Sequence, residues 1–288
     1  MTLGAKTQPA GPSSGAAGSN APAARPRGGR AAAALRRVPR PVRLISPLAV
    51  LVIWQLVSQF GLVDEATLPA PSTIVAAGWE TLTDGTLVPA LTTSGGRVIA
   101  GFLLGGIVGI GLGVAVGLSK IADIAIDPIV QEVRSIPHLG LVPLFIIWFG
   151  IGELPKVLLI ALGVGFPLYL NAASGLRQVD FKLLETGRVL GFSLWQRTRY
   201  VVFPSAAPAL FVGLRQASAA AWLSLIIAEQ INAREGLGFM INNAREFYRT
   251  DIVIFGLIVY AAFGLICDWL IRLAERRVFA YRTSERAS

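Results

Sequence analysis

Long apolar runs broken by short polar stretches set the pattern of this chain. Six runs are long enough to cross the roughly 30 Å hydrocarbon core of a bilayer as helices, and they fall at about 44–62, 95–118, 122–150, 156–174, 206–229 and 252–273. The pattern predicts an all-α polytopic membrane protein with about six transmembrane helices, because a helix satisfies its own backbone in lipid. The first 40 residues break the pattern. They are rich in Ala, Pro, Gly, Ser and Arg with no apolar periodicity, which predicts a disordered tail. The apolar stretch 44–63 is long enough to span, so it reads as an anchor and not as a cleaved signal. The expected organisation is a tail at 1–43, a transmembrane domain at 44–280 and a C-terminal tail at 281–288.

Polar and conformationally special residues inside the runs are the next layer. The second run carries Gly101, Gly105, Gly109, Gly113 and Gly117, one glycine every fourth residue. Glycine weakens a helix, and in lipid the usual compensation is close helix–helix packing. The stripe predicts a packed face, against either another helix of this chain or a second copy. The third run is interrupted at Pro137 and His138 and again at Pro143, ahead of Trp148. Broken helices at membrane depth line a cavity or are buried in protein. Pro167, Tyr169 and Asn171 mark a second irregular region in the fourth run. Pro137, His138, Trp148, Tyr169 and Asn171 are therefore candidate pathway residues, with simple packing kinks as the alternative. His138 has two roles open to it: hydrogen bonding an anionic solute, or satisfying a carbonyl freed by the break.

A polar island separates the fourth and fifth runs, and it is patterned. Asp180 can cap a first short helix, Leu183, Leu184, Val189 and Leu190 give that helix an apolar face, and Gly191 ends it. Ser193 can cap a second short helix through residues 194–199, and Pro204 opens the next long helix where proline is tolerated. A helical hairpin at 180–204, held between spans, has the shape of a docking knob for a partner.

Composition and charge sharpen this picture. The chain is 53% hydrophobic, with a mean hydropathy of +0.61, outside the range of ordinary soluble domains. Its formal charge of +9 is unevenly placed: residues 1–43 hold eight Lys and Arg and no acid. That distribution points to a membrane-topology signal and away from nucleic acid. With both termini in the cytoplasm, the inner segments hold twenty basic residues and the outer ones five, namely Arg97, Lys156, Arg234, Arg245 and Arg249. Lys120 and Arg134 are counted with the inner set. The hairpin then faces the cytoplasm, and the 230–251 loop lies outside as a surface for an extracytoplasmic protein or an interfacial re-entrant segment. Glu229 and Asp268, near span ends, are functional suspects as intramembrane acids. The single Cys267 and single His138 exclude a disulfide and a multi-His metal site, and no Walker A lysine motif is present. The chain is not expected to be an enzyme, to hold a metal or to bind a cofactor. Any uphill movement must be driven by another subunit.

The spacing Glu185-x5-Gly191-x9-Val201-x2-Pro204 resembles the EAA coupling loop of ABC-importer permeases, with Thr186 and Gly187 standing where that family has two alanines. The segment from Ile136 to Glu153, the run Leu68-Pro-Ala-Pro-Ser72 and the run Asn243-Ala-Arg-Glu-Phe247 resemble the sulfonate, nitrate and taurine branch, and aliphatic-sulfonate permeases most. The resemblance implies a type I importer domain that forms a homodimer in the plasma-membrane lipid. It further implies an ATP-binding subunit on the inside, where the ATP is used, and a solute-binding protein on the outside. Transport would follow alternating access. Glu185 would anchor the hairpin by charge-assisted hydrogen bonds, Gly191 would make its turn, and Pro204 would fix the start of the fifth span. Nitrate, taurine and pyrimidine-precursor carriers share most of these motifs. An ion-coupled carrier is the rival of a different class; mid-membrane acids and an internal repeat would mark it.

Overall fold

The computed structural model describes residues 42–279, and every regular element among them is helical. The basic tail over residues 1–41 and the C-terminal tail 281–288 lie outside the described residues. The elements are α1 (Val42–Gln59), α2 (Pro71–Thr83), α3 (Leu87–Leu118), α4 (Lys120–Ser135), a 3₁₀ turn (His138–Leu141), α5 (Val142–Phe149), α6 (Glu153–Arg177), α7 (Phe181–Val189), α8 (Leu194–Arg197), a π turn (Thr198–Val202), α9 (Phe203–Asn232), α10 (Leu237–Glu246) and α11 (Thr250–Val278). The chain divides into two compact units after Val52. The first contributes the N-terminal part of α1, and the second, from Ile53 onward, holds everything else described below.

Helices α3, α6 and α9 form the centre, and glycine decides how close they come. A Cβ at Gly101 would lie 2.6 Å from Ile160 Cβ, one at Gly113 2.7 Å from the Tyr169 carbonyl oxygen, and one at Gly117 2.7 Å from Leu176 Cβ. At Gly105 and Gly109 it would fall on the carbonyl oxygens of Ala161 and Gly165. The stripe thus lies against α6 of the same chain, backbone on backbone. On the other side of α6, Gly175 meets Ala206 and Ala209 of α9 and Gly213 meets Asn171. The contacts run in opposite directions: α3 and α6 are parallel, whereas α6 and α9 are antiparallel. The core around them joins Ile160, Val164 and Leu168 to Ala217, Ala221, Trp222 and Leu225, with α10 adding Leu237, Met240 and Ile241. α2 packs on α11 where the Phe255 ring sits over Gly78.

Four helical stretches have the length and apolarity to cross a membrane: Leu87–Leu118, Glu153–Arg177, Leu194–Ile231 and Thr250–Val278. The third run at 122–150 is interrupted at Pro137, as its sequence predicts. It is a broken pair, Lys120–Ser135 and His138–Phe149, bent by 82°. The first limb is amphipathic and carries Asp123, Asp127 and Glu132, with no fully buried residue. Because α3 and α6 are parallel, the chain between them has to run back along their length, and this broken pair occupies that stretch. The structure therefore gives four spans, or five with the broken pair. α1, with its shorter apolar stretch Ile45–Gln59, falls below that standard. Ile99, Leu103 and Ile107 on α3 and Leu265 and Trp269 on α11 are large exposed apolar side chains, the outer surface expected of a membrane protein.

Two helices went unpredicted. α2 opens on Pro71, a residue suited to the first helical position. The Leu68–Ser72 motif is pinned to the end of α1: Trp54 Nε1 donates to the Pro69 carbonyl at 3.1 Å, Ser58 Oγ to the Leu68 carbonyl at 2.9 Å, and Gln55 pairs with Ser72. α10 occupies the 230–251 loop and is packed inward through Leu237, Met240, Ile241 and Ala244.

Candidate functional site

Local chemistry alone shapes the hairpin between α6 and α9. The Asp180 side chain accepts from the Lys182 N–H at 2.9 Å and caps α7. Gly191, with φ +74°, ends it. The Gly191 N–H donates to the Arg188 carbonyl at 3.0 Å and the Phe192 N–H to the Gly187 carbonyl at 2.9 Å, the paired bonds of a Schellman stop. Ser193 then starts α8 with a full capping box, exchanging hydrogen bonds with Gln196. Gly187 is buried because the Arg197 stem crosses it, 3.2 Å from where a Cβ would sit. Thr186 Oγ1 donates back to the Lys182 carbonyl, Val201 lies in the π turn and Pro204 in the first turn of α9. Leu184 packs with Leu176, Val202 and Ala206, which fixes the hairpin to the ends of α6 and α9.

The charge-assisted hydrogen bonds expected of Glu185 are absent. Its carboxylate is exposed and makes no hydrogen bond or ion pair among the described residues. The apolar face expected of α7 also divides. Leu184 turns inward, while Val189, at 87% exposed, and Leu190 turn outward and are joined there by Leu194 and Trp195.

The candidate pathway residues separate into three places. Trp148, exposed, and Tyr169, buried, share an open apolar groove of ≈ 450 Å³ with Leu104, Val108, Leu112 and Val130. Phe145 and Phe149 flank Trp148 with ring centroids 6.3 Å away from it. The Tyr169 hydroxyl donates to Asp127 of α4, and Arg177 pairs with Asp123, so α4 is held to α6 by polar contacts. Pro137 is exposed and precedes the 3₁₀ turn. His138 is half-buried, with Nε2 3.2 Å from Ser224 Oγ of α9. Its partner is a side chain and not a freed carbonyl. Asn171 stands apart between α6 and α9, its amide donating to the Pro167 carbonyl at 2.8 Å and to Gln216 at 3.0 Å. It back-bonds to its own helix and ties α6 to α9 through Gln216. Arg134, counted above with the inner charges, lies at the break itself, away from the inner end of α4.

Sequence reasoning marked Glu229 as a suspect but missed the network around it. At the end opposite the hairpin, Glu229 is 0% exposed and its carboxylate is surrounded by donors. Oε1 accepts from Arg97 at 2.5 Å and from Ser94 Oγ at 2.7 Å; Oε2 accepts from Tyr260 at 2.7 Å and from the Gly238 N–H at 2.8 Å. Arg97 also forks onto Glu153 and reaches the Glu235 carbonyl, and Lys156 joins Glu153 at 2.8 Å. Ser94 in turn accepts from the Leu237 N–H. Five helices, α3, α6, α9, α10 and α11, meet in this network. A charge in each of several apolar helices was the available signal, since buried charges need partners. A second ionic group, Arg215 near Asp268 and Glu275, links α9 to α11 nearer the hairpin.

A membrane-spanning helical core with a capped, outward-facing hairpin is the arrangement of a transporter subunit that works with partners. Residues 105–280 match the family of inner-membrane components of binding-protein-dependent transport systems, and the chain belongs to that family. Among its relatives is the Bacillus subtilis protein SsuC, which carries a provisional name as an aliphatic-sulfonate transport permease. It is 41% identical over 241 residues, covering 84% of this chain and 87% of that one. The Escherichia coli SsuC, also provisionally named, is 40% identical across 80% of this chain and 88% of its own. The taurine permease TauC of Escherichia coli is 35% identical across 81% and 87%. The fold resembles a chain of the inward-facing MetNI methionine ABC transporter, with a TM-score of 0.56 at 18% identity, over 67% of this chain and 96% of that one. This chain is thus an ABC-importer permease of the SsuC and TauC branch, an integral membrane subunit whose ATP is hydrolysed by a separate partner.

Proposed function

We propose that this chain is the translocating subunit of an importer for small organic anions, with an aliphatic sulfonate as its solute. The hairpin is the observation that carries the coupling part of this reading. Its backbone is fixed by two caps and a Schellman stop, while Val189, Leu190, Leu194 and Trp195 stay exposed. A protein rarely holds an apolar patch rigidly in water unless something covers it, and here the cover is the ATP-hydrolysing subunit. Closure of that subunit would move the hairpin, and α6 and α9 would carry the movement to the opposite end.

The charge asymmetry supports a cytoplasmic hairpin and cytoplasmic termini. Six spans follow if α1 crosses as the first, giving a type I importer domain. The domain limits are 44–280, with tails at 1–43 and 281–288. A homodimer in the lipid bilayer would bring two hairpins to two ATPase copies, and the end holding the Glu229 network would meet the solute-binding protein. The higher identity to SsuC than to TauC favours an aliphatic sulfonate over taurine, and nitrate or a pyrimidine precursor ranks lower still.

Co-expression with the ATPase subunit tests the reading. The parent should co-purify with it, and Leu194→Asp with Trp195→Asp should abolish the complex while leaving membrane insertion intact. In vesicles, uptake of labelled butanesulfonate should be ATP-dependent and resist competition by nitrate. An intact complex in the double variant would remove the coupling reading, and stronger competition by nitrate would remove the sulfonate.

A further inference from the structure

We propose that Arg134 holds the anionic group of the solute at mid-membrane depth, an inference that rests on the importer reading. Depth follows from the contacts of the break. His138 meets Ser224, eight residues before the end of α9, and faces Gly163, ten residues into α6. At 1.5 Å per residue those positions lie about 12–15 Å from the helix ends, which is the middle of a 30 Å core. On the other side of Arg134, Asp127 is tied to Tyr169, farther toward the hairpin end of α6. Arg134 therefore lies between the levels of Tyr169 and Gly163.

An arginine at that depth is costly unless it is paired or faces water. Arg97, Lys156, Arg177 and Arg215, which lie along the apolar helices, each face at least one carboxylate. Arg134 does not. It is exposed, and it has no hydrogen bond or ion pair among the described residues. Its neighbours Ser135 and Pro137 are exposed too, so this stretch borders space and not packed protein.

The chemistry fits a sulfonate. A planar guanidinium forks onto two oxygens of an oxyanion, and a sulfonate stays anionic at any physiological pH. One cation, with no second to reinforce it, lets the anion go again. Val130, four residues earlier on the same helical face, lines the apolar groove that holds Trp148 and Tyr169, so an alkyl chain finds an apolar wall one turn away. The bland alternative is that Arg134 complements the C-terminal dipole of α4 and does nothing more.

The test uses the assembled transporter, with its ATPase subunit and binding protein, in vesicles and with labelled butanesulfonate as the probe. Arg134→Gln should lower uptake about tenfold, the loss of one charge-assisted contact. Arg134→Lys should recover part of it, and ATP hydrolysis stimulated by the loaded binding protein should stay near parental in both. Parental uptake by Arg134→Gln would overturn the proposal. So would equal loss in both variants, or loss of stimulated hydrolysis together with uptake, because either means a structural role. A parent complex that neither hydrolyses nor transports would remove the importer reading and this inference with it.

Discussion

Glu229→Ala should destabilise the end of the bundle opposite the hairpin more than any other single truncation there. The carboxylate takes hydrogen bonds from Arg97, Ser94, Tyr260 and the Gly238 N–H, and none of these sites is open to water. Its removal leaves Arg97, 5% exposed, with Glu153 and the Glu235 carbonyl only, and orphans the Tyr260 hydroxyl and the Gly238 amide. Breaking a buried pair on one side costs about 3–5 kcal/mol. Each orphaned neutral donor would add about 1–3 kcal/mol if nothing relaxed. Those figures do not add, because the cavity left by Glu229 lets the donors turn or admit water. A loss of about 4 kcal/mol is expected, which for a chain this size lowers the melting temperature by roughly 10 °C. Thermal unfolding of the purified protein, followed by tryptophan fluorescence, measures it. Arg97→Met combined with Glu229→Met should recover much of the loss, since an apolar replacement of both charges leaves neither stranded. A fall of only one or two degrees in Glu229→Ala, or a double variant worse than the sum of its singles, would refute the reasoning.

Gly109→Leu puts a side chain onto the Gly165 carbonyl, where no rotamer can move aside; the expected loss is at least the 1–3 kcal/mol of ordinary overpacking, read as lower membrane abundance and melting temperature. Gly191 has nothing within 4 Å of its missing Cβ, so Gly191→Val is a test of backbone conformation alone: it should cost about 1–2 kcal/mol and reduce stimulated ATP hydrolysis, whereas Gly191→Asn should be tolerated. The hydrogen bonds from Arg249 hold the Glu80 carboxyl below its usual value of 4.5, so the stabilisation is complete above that pH and fades as the pH falls further. The melting-temperature gap between parent and Glu80→Gln should close on acidification, and a gap independent of pH would rule the pair out as its source. Single cysteines at Ser193 and Asn242 in a Cys267→Ala background should label from opposite faces of the membrane; labelling from one face would overturn the topology.

What was legible in the sequence was local. The caps of Asp180 and Ser193 and the turn at Gly191 depend on residues two to five apart, so reading the string is nearly reading the structure. The four-residue glycine period announced a packed face, but its partner α6 lies beyond a returning limb that no period reveals. In the third run Pro137 marked the joint, but neither its 82° bend nor the contrast between an amphipathic α4 and an apolar α5. Arg97 and Glu229 are 132 positions apart. Each was visible as a charge in an apolar helix, and only the fold could make them a pair. α2 and α10 were missed because short helices in a loop carry too few turns for a periodic signal. Glu185 failed in the other direction: the motif that contains it is local, yet its carboxylate faces outward and waits on a partner.

The glycine seam between α3 and α6 has a mechanical consequence. Side-chain contacts have compliance, since a rotamer can change and a gap can be taken up. Where backbone meets backbone over about three helical turns, from Gly101 to Gly113, there is nothing to take up. Pulled at the hairpin end, α6 cannot slide against α3 by a fraction of a residue, so the two helices bear load as one beam. Any lost motion between the two ends of this protein must therefore come from the broken limb α4–α5 or from the loose Arg215 contacts to α11, and those are the places where slack, introduced or removed, would change the stroke.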